Sequence, residues 1–261
     1  MTSAHRPVVL IIAGNDPSGG AGLAADTQAV SALGAHPAPV VTALTVQDTV
    51  NAYRVEATAA ELVAAQAEAV LKDMPVAAIK LGLLANAATG RAVAKLLRQH
   101  PGVPVVLDPV LFAAGGAKLA EEALISTYLE ELLPLATIAT PNAAESRRLA
   151  PAAADAAERA AVLLSRGAAH VLIKGADEDT PEVKNTLFSR DRPPQEFTWP
   201  RLPGQYHGSG CTLASAIAAL IARGADVAQA VAEAQAYAWK ALQHGWRPGK
   251  GQWIPDRQAG L

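Results

Sequence analysis

Val8-Val9-Leu10-Ile11-Ile12-Ala13-Gly14-Asn15-Asp16-Pro17-Ser18-Gly19-Gly20-Ala21-Gly22 is the stretch on which the fold turns. Its first six residues are apolar without a break, the signature of a strand covered on both faces. A loop with four glycines follows directly, and residues 22–33 then read as a helix. A buried strand feeding a glycine loop and a helix is the opening unit of a doubly wound α/β sheet. The loop of such a unit lies at the carboxyl edge, where ligands bind. Glycines let the backbone approach a ligand closely, and Asp16 and Asp26 add acceptors. A plain Asx and proline turn capping the helix would use some of the same residues.

Outward from this unit the pattern repeats. Apolar runs at 40–44, 77–81, 103–107, 137–140 and 170–174 predict strands, and segments 59–72, 87–99, 120–132, 142–149 and 154–166 predict helices between them. Repeated strand-then-helix order calls for a mostly parallel sheet with helices on both faces. The order changes near residue 184. Short runs at 184–189 and 195–199 flank Arg190-Asp191-Arg192-Pro193-Pro194 and predict a small hairpin at the sheet edge. Two long helices, 211–223 and 226–244, come next, then a glycine- and proline-rich tail, 245–261, expected to be irregular. No shift of composition marks a second domain and no segment repeats, so residues 1–261 are expected to form one unit.

Composition narrows the function classes. Of 261 residues, 51% are hydrophobic and 18% charged, enough to fill a large core and to exclude intrinsic disorder. The net charge of −2 and the 4% of aromatic residues argue against a nucleic-acid partner. A single cysteine excludes an internal disulfide framework and suits a reducing compartment. The apolar run 211–222 falls short of the ~20 residues that span a bilayer, and the run 8–13 is short for a signal segment of ~7–15. A cytoplasmic chain with no membrane partner is expected.

Further loops and strand ends could carry chemistry. Gly208-Ser209-Gly210-Cys211-Thr212 precedes the apolar helix beginning near Leu213. Small residues ahead of a helix offer unpaired N–H groups to an anion, and the helix dipole adds positive potential. Phosphoryl transfer needs such neutralisation. Cys211 at that end should have a lowered thiol pKa and could serve as a base, although a small buried hydrophobe is the plainer role for a lone cysteine. Asp108 ends the strand 103–107, and Glu145 follows the strand 137–140 at the third position of a helix, where capping competes with metal binding. Lys174 ends an apolar run, a setting that favours a phosphate contact. Neither a G-x-G-x-x-G nor a Walker phosphate loop occurs. Carboxylates, a lysine and an anion-binding turn thus converge on one sheet edge, a set that suits ATP and Mg²⁺.

These residues also carry a resemblance. IAGNDPSGGAGLAAD (12–26), SALGAH (31–36), TALTVQDT (42–49), IKLGLLANA (79–87), VVLDPV (105–110), TPNAAE (140–145), LIKG (172–175) and HGSGCTLASAIAA (207–219) lie in order over almost the whole chain. The sequence resembles the ribokinase-like superfamily and, within it, the hydroxymethylpyrimidine/phosphomethylpyrimidine kinases of thiamine biosynthesis. That resemblance implies a three-layer αβα sandwich, ATP and Mg²⁺, and a homodimer. It implies phosphorylation of 4-amino-5-hydroxymethyl-2-methylpyrimidine and then of its monophosphate. By the same resemblance, Gln47 would hydrogen-bond the pyrimidine, with Gly14, Asp26 and Val110 completing the substrate pocket. Asp108 and Glu145 would manage Mg²⁺ and the nucleotide phosphates, and Lys174 would steady those phosphates. Gly208, Ser209 and Gly210 would form the anion hole, with Cys211 in the position where sugar-kinase relatives carry an aspartate base. The chain departs from the family pattern at Leu83, Asn15, Ser209 and Gln252. It departs also in the acidic run Asp177-Glu178-Asp179, expected to point away from phosphates. Two other readings share the scaffold: a pyridoxal kinase and a non-catalytic pyrimidine sensor.

Overall fold

The computed structural model describes residues 6–111 and 121–259. Its strands are β1 (Val8–Asn15), β2 (His36–Gln47), β3 (Ala52–Ala57), β4 (Val76–Leu81), β5 (Val105–Leu107), β6 (Ile138–Ala139), β7 (His170–Ile173), β8 (Glu182–Ser189) and β9 (Arg192–Pro200). Its helices are α1 (Gly22–Ala32), α2 (Ala60–Asp73), α3 (Ala87–Arg98), α4 (Glu122–Thr127), α5 (Ala143–Leu149), α6 (Ala156–Ser165), α7 (Ser209–Ala222) and α8 (Val227–Gln243). The strands join in one sheet of order β3-β2-β1-β4-β5-β6-β7-β8-β9. Neighbours from β2 through β7 pair in parallel, while β3, β8 and β9 run antiparallel at the two edges.

Strand β1 shows how the layers arise. Side chains alternate across a strand. Val8, Leu10 and Ile12 enter one core with residues of α2, α3, α4, α5 and α6. Val9, Ile11 and Ala13 enter a second core with α1, α7 and α8. The strand is therefore apolar at every position, as its sequence predicts for a sheet covered on both sides. Cutting Ile11, fully buried, to alanine would cost about 2–5 kcal/mol. Helix α7 is buried at every residue from Thr212 to Leu220, which accounts for its apolar character all round.

The expected three-layer sandwich is thus observed, with three differences of detail. The predicted strand 40–44 is the middle of the longer β2, and β3 was not expected; β3 is at most half-buried along its length, so no alternation of burial is written into its sequence. The edge hairpin β8–β9 is longer than predicted because the residues added at its ends are exposed or half-buried. The expected helix 120–132 is a short α4 that runs on into a π turn, Tyr128–Leu132, and a 3₁₀ turn, Leu133–Leu135. Ala120, residues 1–5, and Gly260 and Leu261 of the expected tail lie outside the described residues. Among the described residues no helix is long and apolar enough to cross a membrane.

Candidate active site

Every parallel strand delivers its carboxyl end to one edge, and a cleft of about 840 Å³ opens there. Its walls include Gly14, Gln47, Asp108, Val110, Glu145, Lys174, Gly208, Ser209, Gly210 and Cys211. Residues far apart in sequence thus share one cavity. Asp26 does not line it. This side chain projects from α1 into the layer beneath, where its two oxygens accept from Lys80 Nζ at 2.9 and 2.8 Å and from the Ser215 hydroxyl at 2.7 Å. Asp26 is thus not in the cleft wall where the substrate pocket was expected. Asp26 holds Lys80, and Lys80 reaches the cleft wall. Burial works against the Lys80 charge, but Asp26 with Cys211 and Asp108 more than restores it, so the pKa rises.

The first loop is tied by its own aspartate. Asp16 accepts from the Ser18 N–H at 2.9 Å, the Ser18 hydroxyl at 3.0 Å and the Ala21 N–H at 2.8 Å. His207 Nε2 lies 2.8 Å from Asp16 Oδ2, the oxygen that also accepts from the Ser18 hydroxyl and the Ala21 N–H. Burial alone would raise the Asp16 pKa; the hydrogen bonds from His207 and Ser18 outweigh it and hold the carboxyl below its usual range. Gln47 Nε2 lies 2.8 Å from the same His207 nitrogen. Two donors cannot bond head-on, so turning the amide by 180° gives the ring proton a second acceptor and directs the NH₂ group elsewhere. The sequence offered His207 beside the Gly208 turn, but no chemistry was assigned to it there.

The second half of the site is the start of α7. The helix begins at Ser209, two residues earlier than the sequence predicts, with Gly208 as N-cap at φ 74° and no capping side chain on the first turn. Ser209, Gly210 and Cys211 are thus the first helical residues rather than a loop before the helix, and their N–H groups are the orphan donors of a helix N-terminus. A side chain at Gly208 would meet the Gly20 carbonyl oxygen at 1.9 Å. The two glycine-rich turns are that close. A side chain at Gly210 would come within 3.0 Å of Lys174 Nζ, so this glycine lets the lysine approach the turn.

Lys174 in turn donates to Asp108 Oδ1 at 2.8 Å, and the Thr140 hydroxyl donates to the same oxygen at 2.9 Å. Burial pushes the Asp108 carboxyl up, and Lys174 and Lys80 pull it below its usual range. Glu145 completes a capping box with Asn142: its carboxylate accepts from the Asn142 N–H at 2.8 Å, and Asn142 accepts from the Glu145 N–H at 2.8 Å. The capping role foreseen for it is real, and the side chain still lines the cleft. Burial, reinforced by the nearby Asp108 charge and opposed by Lys174, raises Glu145 to about 7. A cation between two such carboxylates would relieve their repulsion. Among the described residues no set of three or more His, Cys, Asp or Glu could hold a metal alone. Asp108 and Glu145 line one cleft as hard oxygen donors, the ligand type that Mg²⁺ takes beside water and phosphate.

Two expectations are corrected. Burial, partly offset by Lys80 and reinforced by Asp26 and Asp108, pushes the Cys211 thiol up to about 11, not down. Asp177 does not point away. It lines the cleft because the unpaired amides of α5 attract it: the Ala143 and Ala144 N–H groups donate to it at 3.1 and 2.8 Å. Glu178 does turn outward, to Arg147.

At the far end the cleft is apolar. Trp199 and Trp239 stack with ring centroids 5.9 Å apart, beside Pro200, Leu202, Ala238 and Leu242. Trp199 Nε1 donates to Gln235 Oε1 at 3.3 Å, Asn185 Nδ2 donates to the same oxygen at 2.8 Å, and the Gly175 N–H donates to Asn185 Oδ1 at 3.0 Å. This chain of bonds links the aromatic end to the residue after Lys174.

Comparison with known proteins agrees with the geometry. A family model described as phosphomethylpyrimidine kinase matches residues 16–256. A hydroxymethylpyrimidine/phosphomethylpyrimidine kinase of Rhizobium meliloti is 39% identical over 90% of this chain and 90% of its own. The thiamine biosynthesis bifunctional protein ThiED of Geobacter sulfurreducens is 39% identical over 94% of this chain, which spans 51% of that longer protein. The pyridoxal kinase of Staphylococcus aureus, solved with pyridoxal, superposes with a TM-score of 0.88 at 27% identity, covering 98% of this chain and 94% of that one.

Proposed function

The chain belongs to the phosphomethylpyrimidine kinase family, and from that premise we infer that it is an ATP-dependent kinase with a ribokinase-like fold. It phosphorylates 4-amino-5-hydroxymethyl-2-methylpyrimidine to the monophosphate and then to the diphosphate, in thiamine biosynthesis. The observation that carries this reading is the shared cavity: the first turn of α7, Lys174, the two carboxylates and Gln47 all face one space of about 840 Å³, the size of a small-ligand site.

Roles follow from the chemistry of each wall. The pyrimidine lies against Gly14, Gln47 and Val110, with an amide that can offer NH₂ to a ring nitrogen. The nucleotide base takes the apolar end by Trp199 and Trp239, and its phosphates run toward Lys174. The N–H groups of Ser209, Gly210 and Cys211 receive the migrating phosphoryl group, where charge must be neutralised. Lys174 steadies the leaving phosphates while Asp108 fixes the lysine. Asp108 and Glu145 would hold Mg²⁺, which when bound neutralises charge on the β- and γ-phosphates. Cys211 acts in the first step, where an alcohol must lose a proton; the second acceptor is an ionised phosphate and needs no base. With a pKa near 11 the working form is the scarce thiolate. Asp26 serves by orienting Lys80. We propose further that residues 1–261 work as one unit, in the cytoplasm and as a homodimer; exposed Leu44 and Val46 on the outer face of the β2–β3 hairpin support a second copy.

The test is ATP consumption with the pyrimidine alcohol, its monophosphate and pyridoxal in parallel. Turnover of the first two supports the reading, and turnover of neither ends it. The backbone likeness to a pyridoxal kinase favours some turnover of pyridoxal as a second activity.

A further inference from the structure

Arg257 is the largest fully buried side chain in the described structure. It comes from the segment after α8, expected to be irregular, which folds back along residues 205–207: the His207 N–H donates to the Trp253 carbonyl at 2.8 Å, and the Trp253 N–H donates to the Gln205 carbonyl at 2.8 Å. Tyr237 anchors the end of this segment by donating to the Arg257 carbonyl at 2.8 Å. The guanidinium then reaches three elements at once. Nε donates to Thr212 Oγ1 at 2.9 Å, Nη1 to Gln28 Oε1 at 3.0 Å and Nη2 to the Gly20 carbonyl at 2.5 Å.

All three acceptors are neutral. Among the described residues no carboxylate forms an ion pair with Arg257. A buried cation without a counter-ion is costly, and arginine does not escape the cost by losing its proton. The site of this charge is specific. Thr212 follows Cys211 in the first turn of α7, and Gly20 is the residue whose carbonyl touches Gly208.

We propose that Arg257 is a positioning residue for phosphoryl transfer: its guanidinium clamps the first glycine loop onto the first turn of α7 and sets a positive charge without an ion-pair partner behind the amides that receive the phosphoryl group. The inference rests on the kinase reading above. A lysine could keep the charge but could not bridge Gly20, Thr212 and Gln28 with one ammonium in the same planar fork. Burial lowers the Arg257 pKa, while Cys211, Tyr237, Asp26 and Asp16 raise it from farther off. Through its bond to Thr212, the residue after Cys211, the arginine lies near the single cysteine of the chain.

The experiment compares the native protein with Arg257→Met and Arg257→Lys. Folding is checked by circular dichroism, and kcat and KM are measured with the pyrimidine alcohol. In Arg257→Met, kcat should fall about tenfold or more while KM for the alcohol stays within about threefold; Arg257→Lys should fall between. Alkylation of Cys211 by iodoacetamide at pH 8 is read on the same proteins and should slow about threefold or more in Arg257→Met, because a nearby positive charge favours the thiolate. A folded Arg257→Met with native kcat or native alkylation rate overturns the proposal. Should Arg257→Met not fold, Gln28→Leu removes the Nη1 acceptor, and kcat lower by about threefold supports the clamp, whereas native kcat overturns it. If the native protein turns over no pyrimidine, the kinase reading has failed, and the alkylation rates of the folded proteins alone decide the inference.

Discussion

Cys211 shows how far a residue's chemistry is set by its walls. Its position at a helix start suggests a thiolate; its burial beside Asp26 and Asp108 makes it a thiol with a pKa near 11. A base that works only when deprotonated gives a rate that climbs with pH below its pKa, up to tenfold per unit. The alcohol step should therefore accelerate from pH 7 to 10, and the monophosphate step should not share that slope. Cys211→Ala should flatten the first profile and leave the second; two parallel native profiles would remove the cysteine from proton transfer. Asp108, Glu145 and Lys174 were legible as site residues because each ends an apolar run or caps a helix at the carboxyl edge. Asp26 was expected in the substrate pocket but takes the layer beneath, since nothing in its neighbours says which face of α1 it takes. Lys80 was the sole charge in an apolar strand, a signal available in the sequence and left unassigned. Arg257 carried none, because the tail around it has no periodicity.

Among the elements, the junction of the first glycine loop with α7 is the most constrained. Gly208 has φ 74°, and a side chain there would overlap the Gly20 carbonyl. A non-glycine residue in the left-handed region costs about 1–2 kcal/mol, and backbone displacement at Gly20 would add to it. Gly208→Ala should thus lower the melting temperature and reduce kcat by about tenfold or more, as expected when anion-binding amides move. Gly34→Ala is the control: φ is 80° but nothing lies within 4 Å, so it should cost about 1 kcal/mol of stability and leave kcat unchanged. Equal kinetic losses in both would show that strain alone is being measured. The unit β1–loop–α1 was readable because a strand covered on both faces is apolar throughout. The strand β3 and the exact start of α7 were not: the first is nowhere more than half-buried, and the second depends on a backbone angle rather than on helix propensity.

At the scale of the whole molecule, the cleft gathers polar groups that folding alone would not favour. Glu145 has an ordinary pKa of 4.5 and about 7 in the fold. Between those values the folded chain holds more protons than the unfolded one, so stability falls as pH rises through that window and levels off above it. Glu145→Gln removes the titration while keeping a side chain suited to a capping box. Urea unfolding at pH 5 and pH 8 should show the advantage of native over variant shrinking by about 1–3 kcal/mol toward the higher pH. A difference that ignores pH would mean that Glu145 stays ionised in the fold.

The contact between the Gly20 carbonyl and the Gly208 turn joins segments nearly two hundred residues apart, and Arg257 seals it from farther still. Refolding from denaturant would rebuild helices early, from neighbours in the chain, and close this distant seam late. Catalytic competence would then trail the recovery of secondary structure, and mild denaturant would silence the enzyme while most of its sheet still stood.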